Sequence, residues 1–257
     1  MNILVFIKQV ADTEARIIIK GDKKSLEIEN KYTMNFFDEF AVEEALKVKG
    51  KVSGSQVTAC AFGLPKAVEA LRTAIAMGAD RAFLLDKTGL DDDDPLFVAE
   101  VLSAFARKEG FDLILTGRQA IDDENAAIGA MTAEFLGIPH VSAITKLTPD
   151  GTKIIVESDA EGGKETVEVL LPALVTAQKG LNEPRVPLIT GVMRAMKAQI
   201  PAIDPASLGV VHPEPRTYIV SYDTPPKRPP AKIAEGETGE EKVKNLIRLL
   251  KDEARVL

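Results

Sequence analysis

The segment Thr116-Gly117-Arg118-Gln119-Ala120-Ile121-Asp122-Asp123-Glu124-Asn125 carries the residue types best suited to hold a ligand. It follows an apolar run of strand length and precedes a helix start, which puts it at the carboxyl edge of a parallel sheet, the usual ligand position. Backbone N–H groups left free where a helix begins suit a phosphate, and Gly117 would allow close backbone approach. The plainer alternative is that Asp122, Asp123 and Glu124 cap that helix and complement its dipole. Neither GxGxxG nor GxxxxGK[ST] occurs, so the ordinary dinucleotide and triphosphate loops supply no argument.

Other chemistry is thin. His140 and His212 are the only imidazoles, each beside a proline, and neither forms a helical metal pair or accompanies a nucleophile motif such as GxSxG. No catalytic residue is assigned, and ordinary hydrolysis is disfavoured. The single cysteine, Cys60, excludes an internal disulfide and a cysteine-cluster metal site, and its apolar surroundings read as core. The aspartates Asp91 to Asp94 read as a solvated loop, because no glycine and glutamate follow at calcium-loop spacing. No metal site is expected. Apolar residues between prolines and a glycine, from Leu181 to Met193, fit either a docking loop or a loop folded back on the core.

The elements that must position these residues follow from periodicity. Strand-length apolar runs at Asn2–Val10, Gln56–Phe62, Ala82–Asp86 and Asp112–Thr116 alternate with helical spacing over Phe37–Lys49, Lys66–Met77 and Pro95–Lys108. That alternation predicts βαβ units, hence an α/β, doubly wound and mainly parallel sheet. Asp94 before Pro95 marks a helix start, and Gly110 its end. Ala15–Lys20 and Ser25–Glu29 flank Gly21-Asp22-Lys23-Lys24 and predict a hairpin. Around residues 141–178, short β segments at Val141–Lys146, Lys153–Ser158 and Thr166–Leu171 predict antiparallel strands at the sheet edge or in a small separate layer. The expected division is a domain over 1–222 and an arm over 223–257, proline-rich through Pro225 to Pro230 and then an amphipathic helix over Gly239–Leu257, suited to reaching a partner.

Composition bounds the function. At 257 residues, 45% apolar, 28% charged and net charge −7, the chain reads as an ordinary globule with no basic excess for nucleic acid or anionic lipid. Its apolar runs fall far short of the roughly 20 residues of a membrane helix. The start Met1-Asn2-Ile3-Leu4-Val5 is already strand-like, without a cationic leader, so a bacterial-type cytoplasm is expected.

Four blocks then carry a resemblance: Met34-Asn35-Phe36-Phe37-Asp38-Glu39-Phe40-Ala41-Val42-Glu43-Glu44-Ala45-Leu46, Ala76-Met77-Gly78-Ala79-Asp80-Arg81, Gly117-Arg118-Gln119-Ala120-Ile121-Asp122-Asp123 and Leu181-Asn182-Glu183-Pro184-Arg185. In this order they resemble the beta subunits of electron-transfer flavoproteins, over residues 1 to about 230. The resemblance implies a Rossmann-like α/β domain and an electron carrier, not an enzyme in its own right. It implies an alpha-subunit partner that holds most of one FAD, and AMP bound in this chain. By position, the AMP pocket would use Phe6, Ile7 and Lys8, then Asn35, Phe36, Phe37 and Asp38, then Phe62. Its last part would be the loop from Gly117 through Gln119, Asp122, Asp123, Asn125, Ala126 and Ala127 to Ile128. Amides near Asp123 to Ile128 would meet the phosphate.

The family's dehydrogenase-docking loop maps to Arg185 through Arg194, with Arg185, Ile189 and Met193 as docking residues and Ile189 where the family usually carries leucine. Thr13 stands where many members place an aromatic residue near the flavin. The implied partners are electron-donating dehydrogenases, acyl-CoA dehydrogenases among them, and a quinone oxidoreductase acceptor, as in fatty acid β-oxidation. Two alternatives stay open. One is a bifurcating flavoprotein with a second FAD in the AMP site, although the block from Asn35 to Ala45 looks more like the AMP-binding branch. The other is a homodimeric nucleotide-binding stress or sensor module, which would leave the block Leu181 to Arg185 and the proline-rich arm unexplained.

Overall fold

The computed structural model describes residues 1–90, 94–211, 216–228 and 230–257. Asp91, Asp92, Asp93, His212 and Pro229 lie outside the described residues, and the expectations for them stay with the sequence. The chain divides into two compact units, Met1–Val220 and Ser221–Leu257.

In the first unit the strands are β1 (Asn2–Phe6), β2 (Gln9–Ala11), β3 (Ile17–Ile19), β4 (Leu26–Ile28), β5 (Tyr32–Met34), β6 (Gln56–Gly63), β7 (Arg81–Asp86), β8 (Leu113–Gly117), β9 (His140–Asp150), β10 (Lys153–Ala160), β11 (Gly163–Leu170), β12 (Ala173–Ala177) and β13 (Ala202–Ile203). The helices are α1 (Phe36–Lys51), α2 (Val68–Met77), α3 (Pro95–Glu109), α4 (Ile128–Leu136) and α5 (Ile189–Lys197). The second unit carries α6 (Gly239–Arg248), opened by a capping box in which Thr238 and Glu241 bond each other's backbone N–H.

The main sheet runs β11-β10-β9-β12-β8-β1-β6-β7-β13. Every pairing from β9 through β12, β8, β1, β6 and β7 to β13 is parallel, while β9, β10 and β11 pair antiparallel. Side-chain alternation along β1 shows the layering. Ile3, Val5 and Ile7 join the core shared with α1 and α2, while Leu4 and Phe6 join the core shared with α3 and α4. A strand buried on both faces needs apolar residues throughout, and β8 and β12 are buried over their full length.

The α/β sheet and its helices are as the periodicity predicts, with three differences. The run Asn2–Val10 breaks after Phe6, because Lys8 leaves the main sheet and Gln9–Ala11 pairs antiparallel with β5. The edge alternative holds for β9 to β11, but residues 173–177 within that stretch are not antiparallel: β12 lies between β8 and β9, parallel to both. Leu171-Pro172 divides what reads in sequence as one apolar run. Finally, α4 starts only at Ile128, so Asp122, Asp123 and Glu124 precede it by a whole turn and do not cap it; the N-cap is Ala127, without a side-chain bond. The α3 start is as expected, with Asp94 accepting from Leu96 N at 2.9 Å, Pro95 in the first turn and Gly110 closing the helix at φ 73°.

Candidate functional site

Strand order fixes where a ligand can sit. From β1 the chain builds outward through β6 and β7, then α3 carries it back to β8 on the other side of β1. The crossovers therefore reverse between β1 and β8, and such a switch point leaves a crevice beyond the strand ends. A cleft lies there. Its walls come from Phe6, Ile7 and Lys8 after β1, Asn35 and Asp38 at the start of α1, Phe62 on β6, and Pro95, Val98 and Leu102 on α3. The loop from β8 into α4 closes it through Thr116, Gly117, Arg118, Gln119, Ala120, Asp123, Asn125, Ala126, Ala127, Ile128 and Gly129.

Polar groups around the cleft are largely engaged in shaping backbone. Asp38 is buried, accepting from Lys8 N at 2.7 Å through Oδ2 and from Gly117 N at 2.9 Å through Oδ1. Burial pushes its carboxyl pKa up to about 7 against these bonds. Asn35 donates from Nδ2 to Gln119 O at 2.9 Å and accepts from Ile121 N at 3.1 Å through Oδ1, holding the β8–α4 loop in place. The Lys8 ammonium meets Asp122 at 2.8 Å and Asp123 at 2.9 Å. Partial burial pulls the lysine down, yet the two aspartates outweigh it and leave its pKa above the ordinary value.

Gly117 packs with no room to spare: a Cβ there would lie 2.3 Å from Asp38 Oδ1 and 2.7 Å from Phe37 Cβ. The close approach it permits is to α1. Gly129 plays the same part for α4, since a Cβ would meet Thr176 Cγ2 at 2.5 Å. Before α4, Glu124 and Ala126 both take left-handed backbone at φ 52°, a conformation that costs energy for a side chain with a Cβ. The loop thus ends in an uncapped helix start whose first residues line the cleft. First-turn N–H groups have no partner within a helix, and the macrodipole makes this end favourable for an anion.

A second region is built from the block Leu181 to Arg185. Arg185 grips Glu43 of α1 with Nε to Oε2 at 2.7 Å and Nη2 to Oε1 at 2.9 Å, a two-pronged geometry that fixes orientation. Asn182 Nδ2 donates to Phe40 O at 3.0 Å and Glu44 Oε2 at 2.9 Å. Beyond this clamp α5 lies against α2, where a Cβ at Gly191 would lie 2.3 Å from Ala76 O. Two arginines cross-link the helices. Arg194 Nη2 donates to Ile75 O at 2.5 Å near the end of α2, and Arg72 donates to Ala195 O near the end of α5. The outer face of this segment is apolar: Val186, Leu188, Ile189, Val192, Met193 and Met196 are exposed, Ile189 by 80%.

The same chain matches a family model described as an electron transfer flavoprotein domain over residues 25–208. It is 38% identical to electron transfer flavoprotein subunit beta of Bacillus subtilis over the whole length of both chains. It is 39% identical to the human subunit beta over 89% of this chain and 90% of that one, and 36% identical to the Dictyostelium discoideum subunit beta over 100% and 99%. This chain belongs to the electron transfer flavoprotein beta-subunit family. As a beta subunit in an electron-transfer family it implies an alpha-subunit partner, and no helix among the described residues is long and apolar enough to cross a membrane.

For this electron transfer flavoprotein beta chain, the structure gathers most of the expected pocket residues in one cleft: Phe6, Ile7, Lys8, Asn35, Asp38, Phe62, Gly117, Gln119, Asp123, Asn125, Ala126, Ala127 and Ile128. It sets Phe36, Phe37 and Asp122 outside the lining. Phe36 is 42% exposed and stacks edge-on against Phe37 and Phe40, Phe37 backs Gly117, and Asp122 is held by Lys8. The α3 wall of Pro95, Val98 and Leu102 went unassigned in the sequence. Pro95 opens the helix that follows β7, so it too lies at the carboxyl edge, and the switch-point rule alone could have found it. Of the residues that the resemblance assigns to docking, Ile189 and Met193 sit on the exposed apolar face, while the Arg185 guanidinium is engaged by Glu43. Cys60 is buried, as its sequence context predicts.

Proposed function

We propose that this chain binds AMP in the β1–β8 cleft and serves as the beta subunit of a heterodimeric electron carrier. Its alpha partner holds most of one FAD and completes the complex. The observation that carries the nucleotide part is the uncapped start of α4 opening into the cleft, with Ala126, Ala127 and Ile128 at its rim. An AMP phosphate there would meet the first-turn N–H groups of α4, and the base would find apolar wall from Phe6, Phe62 and Val98. Phe62 is steadied by an edge-on contact with Phe97 at 5.9 Å between ring centres. The residues present fit a nucleotide monophosphate, because both anion-favouring backbone and an aromatic wall face the same space. Bound AMP would stabilise the fold by mass action and take no part in redox chemistry.

When bound, the flavin supplies the capacity to take up and release electrons. This chain positions the cofactor-bearing complex and offers the apolar face of α5 to electron-donating dehydrogenases, acyl-CoA dehydrogenases among them, with a quinone oxidoreductase as acceptor and the cytoplasm as the site of action. Unit 221–257 would reach the alpha subunit through the apolar side of α6, where Val243, Leu246 and Ile247 are exposed.

Co-expression with the alpha subunit, denaturation of the purified complex and chromatography of the released nucleotides test this function. One AMP and one FAD per heterodimer are expected. Two FAD and no AMP would replace it with the bifurcating alternative, and a stable homodimer without flavin would overturn it.

A further inference from the structure

Asp38 is only 4% exposed, a carboxylate in the first turn of α1, set against apolar core. Buried charge is tolerated where hydrogen bonds replace its hydration. Here each oxygen is taken by one backbone N–H, and the two N–H groups come from different strands: Lys8, just beyond β1, and Gly117, the last residue of β8. Those are the two strands between which the crevice opens. One turn earlier, Asn35 holds the next stretch of the same loop through Gln119 and Ile121. Both oxygens of Asp38 therefore accept from the protein's own backbone.

Building on the AMP function above, we propose that Asp38 is a positioning residue of the nucleotide cleft. Its ionised carboxylate ties the backbone beyond β1 to the end of β8, and nucleotide affinity follows the charge of that carboxylate. Both bonds run to a charged acceptor, so a proton on either oxygen would remove that charge, weaken the hold on both N–H groups and loosen the strand ends they tie. Burial brings the carboxyl pKa up to about 7, which places the change at neutral pH. The charged groups around it are Lys8 from the β1 side, already paired with Asp122 and Asp123 of the β8–α4 loop, and Glu39 beside it on α1, whose own pKa burial raises. Arg118 lines the cleft from the same loop. Lys8 favours the charged form of Asp38, though less than the hydrogen bonds to its carboxylate do.

The test uses the complex with its alpha subunit, stripped of nucleotide, as wild type and as Asp38→Asn. AMP binding is measured across neutral pH. Adenosine is titrated alongside, because a phosphate monoester itself loses a proton near pH 6, at about its second pKa. In the nucleotide-free complex the amide resonances of Lys8 and Gly117 are followed over the same range. In the wild type both amides should move together with a midpoint near pH 7, and affinity for both ligands should rise through it. Asp38→Asn should lose that pH step and bind roughly tenfold more weakly at the alkaline end, the scale of one charge-assisted hydrogen bond. Wild-type affinity in Asp38→Asn at every pH, or Lys8 and Gly117 amides with no shared titration, would overturn the proposal. Should the variant fail to fold, the wild-type titrations still decide it. A wild-type complex without AMP affinity at any pH would refute the AMP function instead, leaving the amide titration to judge Asp38.

Discussion

The β1–β8 cleft and the segment 182–197 both hang from α1, and they use their side chains in opposite ways. At the cleft end of the helix, Asn35 and Asp38 turn inward and fix backbone, so the surface offered to a ligand is largely main chain and aromatic wall. Two turns on, Glu43 and Glu44 clamp Arg185 and Asn182, and beyond the clamp Val186, Leu188, Ile189, Val192, Met193 and Met196 leave their apolar side chains in solvent. The first arrangement suits a small ligand recognised by shape and backbone donors. The second suits a large partner able to cover several exposed side chains at once. The difference teaches that exposure and burial separate the two kinds of site more sharply than residue type does, since both are built from the same mixture of acids, amides and apolar groups.

Substitutions should break the two regions differently. Gly117→Ala strikes the tightest packing in the cleft and should destabilise the fold by about 3 kcal/mol or more, the upper range for overpacking, read from urea unfolding. Loss of AMP from the purified complex should accompany it. A wild-type midpoint would mean that Asp38 and Phe37 can yield. Glu43→Ala should cost less, about 1–2 kcal/mol, because Arg185 is half-exposed and water replaces part of the bond. Its signature should be faster hydrogen exchange over residues 182–197 with the cleft unchanged.

The pH dependence of stability sharpens the cleft side of the comparison. Because the folded-state pKa of Asp38 lies above its unfolded value, the native state binds the extra proton between about pH 4 and 7, and stability from this group falls as pH rises through that window. The difference in unfolding free energy between wild type and Asp38→Asn should therefore shrink or reverse from pH 4 to 7 and level off above it. A flat difference would show that its hydrogen bonds cancel the effect of burial on the Asp38 pKa. Smallest in stability is Ile189→Asp, expected to change the unfolding free energy by no more than about 0.5 kcal/mol while weakening dehydrogenase docking measured by electron-transfer rate against donor concentration. Unaltered docking would remove Ile189 from the contact surface.

Much of the parallel core was legible because strands buried on both faces must be apolar throughout, which makes Gln56–Gly63 and Leu113–Gly117 stand out against the helices between them. The α3 boundaries were legible for a local reason: Asp94, Pro95 and Gly110 act through bonds two to four residues long. What the sequence hid depended on distant partners. Asp122 and Asp123 look like helix caps until Lys8, 114 positions from Asp122, is seen to hold them. Asp38 entered only as a pocket residue that the resemblance implies, and only the fold shows its oxygens accepting from backbone just beyond β1 and at the end of β8. Ala173–Ala177 was hidden because an apolar run carries no mark of which strand it will pair with, and its central place needs β8 and β9 already assembled.

Hydrogen exchange of the alpha–beta complex, stripped of nucleotide and then supplied with AMP, tests the central claim most directly. The account predicts new protection at residues 35–38 and 117–129, with 186–196 exchanging as before. Protection confined to 186–196, or none in the β8–α4 loop, would contradict it.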